Sequence, residues 1–333
     1  MAGPCRCNPR LQPPGVRVTP WLFEHLDPEF GTAPYRRAQR CRHDAAALGL
    51  RAMDAVTTAA VLTAAGLHAG WNAAVKRQAD PLLAVAGLAA GGVLCCLLAL
   101  PWLPRPDAAA WPYLAASVIV HVPYQLALAN AYRRGELGTL YALMRGTPPL
   151  LVAILTATVL QSATGDRLSP TSLCGVAVLC GGLLALLRAR PQPGAALAFA
   201  ATAAACTATY TLLDGLGARA AGSAAAYVCW HGVVQGSVVV GVVAARLGPG
   251  TLGAHLRAQA PLSLGGGVAS MLAYALVLWA MTRAPIATVA ALRETSVLIA
   301  AWLGVWLFGE PQTAHRWVAT ALVVTGGILM RVG

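Results

Sequence analysis

Residues 131–150 read AYRRGELGTLYALMRGTPPL, and residues 279–298 read WAMTRAPIATVAALRETSVL. Laid over one another without a gap, the two stretches put Arg145 on Arg293 and Thr147 on Thr295. Both arginines fall inside segments long and apolar enough to cross a bilayer. A charged side chain at the bilayer centre costs at least ~2.5–3.5 kcal/mol on insertion scales. A chain that bears this cost at two equivalent places is expected to use both arginines. The repeat therefore predicts a duplicated membrane protein with a polar path between its halves.

Composition points to the same solvent. The chain has 333 residues, 57% hydrophobic and 11% charged, where a soluble domain carries about 25% charged residues. The formal net charge of +12 is almost all arginine, since Lys76 is the only lysine. Arginine in short loops is usual in membrane proteins, so the charge implies no nucleic-acid partner. Cys95, Cys96, Cys174, Cys180, Cys206 and Cys229 lie in apolar segments, where cysteine acts as a small hydrophobe. Cys5, Cys7, Cys41 and His43 match no familiar zinc spacing, so neither metal nor cofactor is expected.

Residues 1–52 are rich in Arg and Pro and show neither helical period nor apolar run, which predicts a disordered extension. No apolar core of ~7–15 residues marks a signal peptide there. MDAVTTAAVLTAAGLHAGWN, from Met53, reads like a start running into a first helix. Beyond it, apolar segments lie near 55–75, 82–100, 111–131, 137–160, 170–187, 195–213, 223–245, 262–282, 285–308 and 315–330. Each approaches the ~20 residues needed to span a bilayer. The predicted fold is all-α, with ten transmembrane helices in two five-helix repeats at 53–190 and 191–333. Gly165-Asp166 answers Gly309-Glu310, Gly181-Gly182 answers Gly326-Gly327, and Trp71-Asn72 answers Tyr210-Thr211. An odd number of spans per repeat inverts the second copy, as in many secondary transporters. The Gly-Gly pairs of the fifth and tenth segments predict that these two pack closely, as scaffold.

Candidate path residues follow from intramembrane polarity. Tyr141 and Arg145 are one turn apart on the fourth segment, and Pro148-Pro149 next to them predicts a kink with freed carbonyls. A guanidinium in that setting suits a carboxylate or phosphate. Arg293 and Glu294 are adjacent, which on a regular helix turns them about 100° apart, so Glu294 is expected to reach another helix, Arg145 being one choice. Glu294 is either the proton carrier or a structural partner. His68, Asn72 and Lys76 form an i, i+4, i+8 stripe with Trp71 beside it. His121 and Gln125, and His231 and Gln235, repeat the i, i+4 spacing. Thr207, Tyr210, Thr211 and Asp214 mark the sixth segment and Tyr274 the eighth. Such groups more often bond helix to helix than touch a ligand. No nucleotide loop, HExxH or GxSxG occurs, so the chain is not read as an enzyme.

LHAGWNAAVKRQAD (67–80), LANAYRRGELGTLYALMRGTPPLLVAIL (128–155), YTLLDGLGAR (210–219) and APIATVAALRETSVLIAAWLGVWLFGEP (284–311) together resemble the EamA family of the drug/metabolite transporter superfamily. Within it, the chain is similar to the subgroup linked to phosphonate utilisation. The resemblance covers about residues 55–330. It implies ten helices, inverted five-helix repeats, cytoplasmic termini, a central cavity, and export of small metabolites, often coupled to protons. Two departures stand out: the long extension, and four additional residues before Gly165-Asp166, where the repeat offset drops from 148 to 144. Loop charges, taken alone, put the termini on the outer side instead. The reading is a multi-pass inner-membrane transporter of a small polar or anionic substrate, monomeric or homodimeric. The alternatives are a lipid-linked carrier flippase on the same fold, or a membrane-embedded enzyme.

Overall fold

Helix starts in this chain are written in its loops. Asp54 takes the Thr57 N–H at 2.6 Å and opens α1, Ala55–Lys76. That N–H holds the exposed Asp54 carboxyl below the usual carboxylate range. Asp80 accepts from the N–H groups of Leu82 and Leu83, and Pro81 supplies the first residue of α2, Pro81–Ala99. The computed structural model describes residues 53–332 apart from 77, 79, 135–136, 159, 165, 167, 186–191, 300–301 and 303–313. Side chains at some helical positions, including Asn72, Lys76 and Tyr141, are also outside the described set. The predicted extension, the Cys5–His43 cluster and Glu310 lie outside the described residues too.

Short 3-10 turns at Leu100–Trp102 and Ala108–Ala110 lead into α3, Trp111–Arg134. Then come α4, Leu137–Thr158, a single turn at Gln161–Thr164, and α5, Pro170–Ala185. Next are α6, Gly194–Ala220, and α7, Ala224–Leu247. Gly222 makes the turn between them at φ +69°, a conformation glycine adopts without steric cost, and Ser223 caps α7 through the Ala226 N–H. A short connecting helix, Pro249–Ala258, precedes α8, Ala260–Met281. The series closes with α9, Ile286–Arg293, and α10, Ala314–Val332. Among the described residues there is no strand, so the fold is all-α.

Where the sequence predicts ten spans, four helical stretches among the described residues are long and apolar enough to cross a membrane: Leu82–Trp102, Gly194–Ala220, Ala224–Leu247 and Ala260–Met281. Leu143–Thr158, Pro170–Leu184 and Trp317–Met330 are shorter apolar helices. Leu94, Leu98, Ile119, Leu126, Val242 and Leu272 are exposed, an outer surface suited to lipid.

Packing pairs α3 with α6, α5 with α10, α2 with both α7 and α8, α1 with α8, and α4 with α6. Glycine lets two of these contacts close to backbone distance and makes room for a side chain in a third. A Cβ at Gly326 would lie 2.6 Å from the Gly175 carbonyl oxygen, and one at Gly175 would lie 2.8 Å from the Gly326 carbonyl. On the α2–α8 seam, a Cβ at Gly91 would collide with the Ser263 carbonyl. Gly236 of α7 instead makes room for a side chain of α2, since a Cβ there would lie 2.5 Å from the Val93 Cγ2 methyl. Within the Gly-Gly pairs, one member does this work: Gly182 faces Leu322 at 2.7 Å, whereas Gly181 faces open space. Where apolar helices have no hydrophobic drive to associate, such close contact supplies the attraction. Gly326→Val therefore lowers stability by about 1–3 kcal/mol through overpacking. Thermal unfolding of the detergent-solubilised protein reads this out; an unchanged midpoint would disprove the tight α5–α10 contact.

The prolines of α4 and the helix break of α9 do not coincide. Pro148 and Pro149 lie inside α4, which runs through them without a break. Their fixed φ is compatible with the helix even though their donors are missing. The interruption falls in α9 instead, where Glu294 and Thr295 form a turn after Arg293. There the backbone switches to i−3 bonds: Glu294 N–H to Ala291 O, Thr295 N–H to Leu292 O, and Val297 N–H to Glu294 O. The Thr295 hydroxyl donates to the Leu292 carbonyl at 2.8 Å and competes for the same acceptor.

Candidate functional site

Arg145 of α4 and Arg293 of α9 converge on one carboxylate, that of Glu294. Arg293 Nη2 lies 3.1 Å from Glu294 Oε1, and Arg145 Nη1 lies 3.6 Å from Oε2. The carboxylate side chain is 2% exposed, while Arg145 and Arg293 keep 18% and 15%. Adjacent residues on an intact helix would not meet this way, so the expectation that Arg293 and Glu294 face apart is corrected. The α9 turn is the reason: Glu294 sits at φ −71°, ψ −5°, beyond the last helical residue, and its side chain swings back under Arg293. The expected reach to Arg145 is also present.

α1 adds the next layer. His68 Nε2 is 2.6 Å from Arg145 Nη2. A guanidinium can only donate, so this nitrogen carries the imidazole lone pair. Trp71 packs edge-on against His68 with ring centroids 4.9 Å apart. The Trp71 indole nitrogen and Glu294 Oε2 are buried without a hydrogen-bond partner among the described residues. Buried polar groups in that condition are rare and call for an explanation.

A second polar cluster lies between α3, α6, α7 and α8. Asp214, 1% exposed, accepts from the Tyr227 hydroxyl at 3.0 Å and the Tyr274 hydroxyl at 2.6 Å. His231 Nε2 is 3.8 Å from Asp214 Oδ1 and 3.3 Å from Ser117 Oγ. His121 Nδ1 bonds the Ser117 carbonyl at 2.8 Å, and its ring stacks on Tyr210 at 4.1 Å. Tyr210 in turn lies within electrostatic range of Arg293.

A third group ties loops to helices. Arg219, at the end of α6, donates to the carbonyls of Met281 (2.7 Å), Thr164 (2.6 Å) and Ala284 (2.9 Å). It also pairs with Asp166 at 2.9 Å. Asp166 Oδ2 accepts the Ile286 N–H at 2.8 Å, at the first turn of α9. Burial raises the Asp166 carboxyl above the usual range, while the Arg219 charge and the Ile286 N–H pull it the other way.

Of the residues predicted from sequence, Arg145, Arg293, Glu294, His68 and Trp71 meet in the first cluster. Tyr210 and Tyr274 belong to the second. Gln125 is exposed, and the side chains of Asn72 and Tyr141 lie outside the described residues. Sequence reasoning left out Asp166, Arg219, Ser117 and Tyr227. An aspartate followed by an apolar helix start was the available signal for Asp166; Ser117 and Tyr227 carry none.

No protein-family model matches the chain. No curated protein matches it either. Among solved structures, the chain is similar to one described only as "Crystal structure of protein", with a TM-score of 0.61 and 18% sequence identity. The match covers 84% of this chain and 97% of that one. At that identity the likeness shows a shared fold and says nothing of activity.

Proposed function

We propose that the chain is a multi-pass membrane transporter of a small anionic or zwitterionic metabolite, built from two inverted five-helix repeats of EamA type. The observation that carries this reading is the meeting of Arg145 and Arg293, at equivalent positions of the two sequence repeats, beside a broken helix. Transporters often place discontinuous helices at the substrate site, because freed backbone groups there face the cavity rather than lipid. Both guanidinium groups keep partial exposure, and a ligand carboxylate or phosphate can accept paired N–H bonds from either. The Trp71 N–H, without a partner among the described residues, is a further donor at the same place.

Helix pairing supports the repeat. Exchanging α1–α5 with α6–α10 carries the α3–α6 contact onto α8–α1, and returns α2–α7, α4–α9 and α5–α10 to themselves. The arginine neighbourhoods follow the same exchange. Arg145 meets α1 at His68, and Arg293 lies within electrostatic range of Tyr210 on α6. Alternating access then amounts to rocking of the halves about the α9 turn, with the Arg219 hub holding one end.

Arg145→Ala is the test. Cells overexpressing the chain are screened for resistance to, or accumulation of, anionic metabolites. The variant inserts at normal abundance and loses the phenotype at least ~10-fold, the loss of one charged hydrogen bond worth about 1.5–3 kcal/mol. An unchanged phenotype in this variant removes the arginine from transport.

A further inference from the structure

Asp214 has a setting that helix packing does not require. A buried ionised carboxylate needs either a charge partner or several donors. Asp214 has two phenolic donors, Tyr227 and Tyr274, from two different helices. The third neighbour is His231, 4% exposed, whose Nε2 points between Asp214 Oδ1 and the Ser117 hydroxyl. If Asp214 is ionised, the cluster is net negative while His231 is neutral and net zero once His231 is protonated. Histidine is the side chain whose charge changes in the physiological range.

We propose that Asp214 and His231 form a proton-binding site distinct from the arginine cluster, in which the proton rests on His231 Nε2 against Asp214 Oδ1. In the empty state the Ser117 hydroxyl donates to Nε2, and the imidazole hydrogen is on Nδ1. On loading, a hydronium ion gives its proton to Nε2 and leaves as water, the new N–H turns to Asp214 Oδ1, and the Ser117 hydroxyl rotates to become an acceptor. Release reverses each step, with the proton returning to water and no other bond broken.

The Ser117 carbonyl can only accept, so the hydrogen bond to it places a hydrogen on His121 Nδ1. The His121 ring lies 5.4 Å from His231 and is half-buried, against 4% for His231.

The titratable groups around Asp214 come from every helix packed on α6. Tyr227 and His231 face it from α7, Tyr274 from α8, and His121 with Tyr124 stands behind His231 on α3. α4 and α9 bring Arg145, Arg293 and Glu294, of which Arg293 acts on Tyr210, one turn before Asp214 on α6 itself. Arg219, further along α6, is engaged by Asp166. This assignment frees Glu294 from the proton role, since two guanidinium groups already hold it.

The proposal rests on the transporter reading only for its purpose, and its test is independent of any substrate. The full chain, labelled with ring-15N histidine and placed in phosphatidylcholine–phosphatidylglycerol vesicles, is titrated by solid-state NMR over about pH 5 to 9. One ring signal, absent in His231→Gln, converts from neutral to charged. Its midpoint falls by at least about one pH unit, tenfold in proton affinity, in Asp214→Asn. Tyr274→Phe, which keeps the ring and removes one donor from the carboxylate, raises the midpoint. A His231 signal that stays neutral or stays charged throughout overturns the proposal, as does a midpoint indifferent to both variants. Titration as expected, together with an Arg145→Ala strain that behaves as wild type, would keep the proton site and remove the transporter.

Discussion

Glu294→Ala destabilises the folded chain by about 3–5 kcal/mol, the largest effect expected of any single substitution in the arginine cluster. The glutamate side chain is 2% exposed and lies between two guanidinium groups contributed by α4 and α9. Its removal leaves the arginines facing each other in a medium where like charges are poorly screened. The cost is that of uncompensated buried charge, which exceeds the value of the pair itself. Arg145→Ala, by contrast, leaves Glu294 paired with Arg293 at 3.1 Å and costs less. The double variant Arg145→Ala/Glu294→Ala therefore recovers part of the loss. Thermal unfolding in detergent, run as a double-mutant cycle, measures the coupling. Strict additivity would show that the three groups do not share one charge balance.

Arg219→Ala is the second large effect, about 3–5 kcal/mol. Its guanidinium gathers the loop after α4, the end of α8 and the start of α9 through Thr164, Met281, Ala284 and Asp166. Truncation orphans three carbonyls and strands the Asp166 carboxylate, whose side chain is 9% exposed. Arg219→Lys rescues poorly, because an ammonium cannot present a planar fork to acceptors on three sides. The variant is expected to lose protection first at Ile286 and the following N–H groups, read by hydrogen exchange, since Asp166 caps that helix start. Uniform loss of protection, or none, would show that Arg219 does not organise the α9 entrance.

The helices were legible because their signals are local. Apolar runs define segments without reference to any neighbour, though only four of the described helices are long and apolar enough to cross a membrane. The two arginine phrases were legible by comparison of one part of the chain with another. The α9 break was not, because proline marked a different place. Pro148-Pro149 announce a kink that α4 passes through, whereas Arg293-Glu294-Thr295 contain no residue that forbids a helix. Only the demand of Glu294 for two cations, and the bond from Thr295 to Leu292, make the turn favourable.

The same division holds for the polar clusters. His121, His231, Tyr210, Tyr274 and Asp214 stand out in an apolar sequence, but their partners are separated by up to 114 residues, as between Ser117 and His231. Spacing along one helix cannot say which of several distant groups share a site. From sequence alone came the lipid-suited composition, the helical segments and the paired arginines, since each depends on residues near one another or on internal repetition. Which acid meets which base was decided by packing, because buried charges and hydrogen-bonding groups find their partners across helices that only the assembled bundle brings within three to four ångströms.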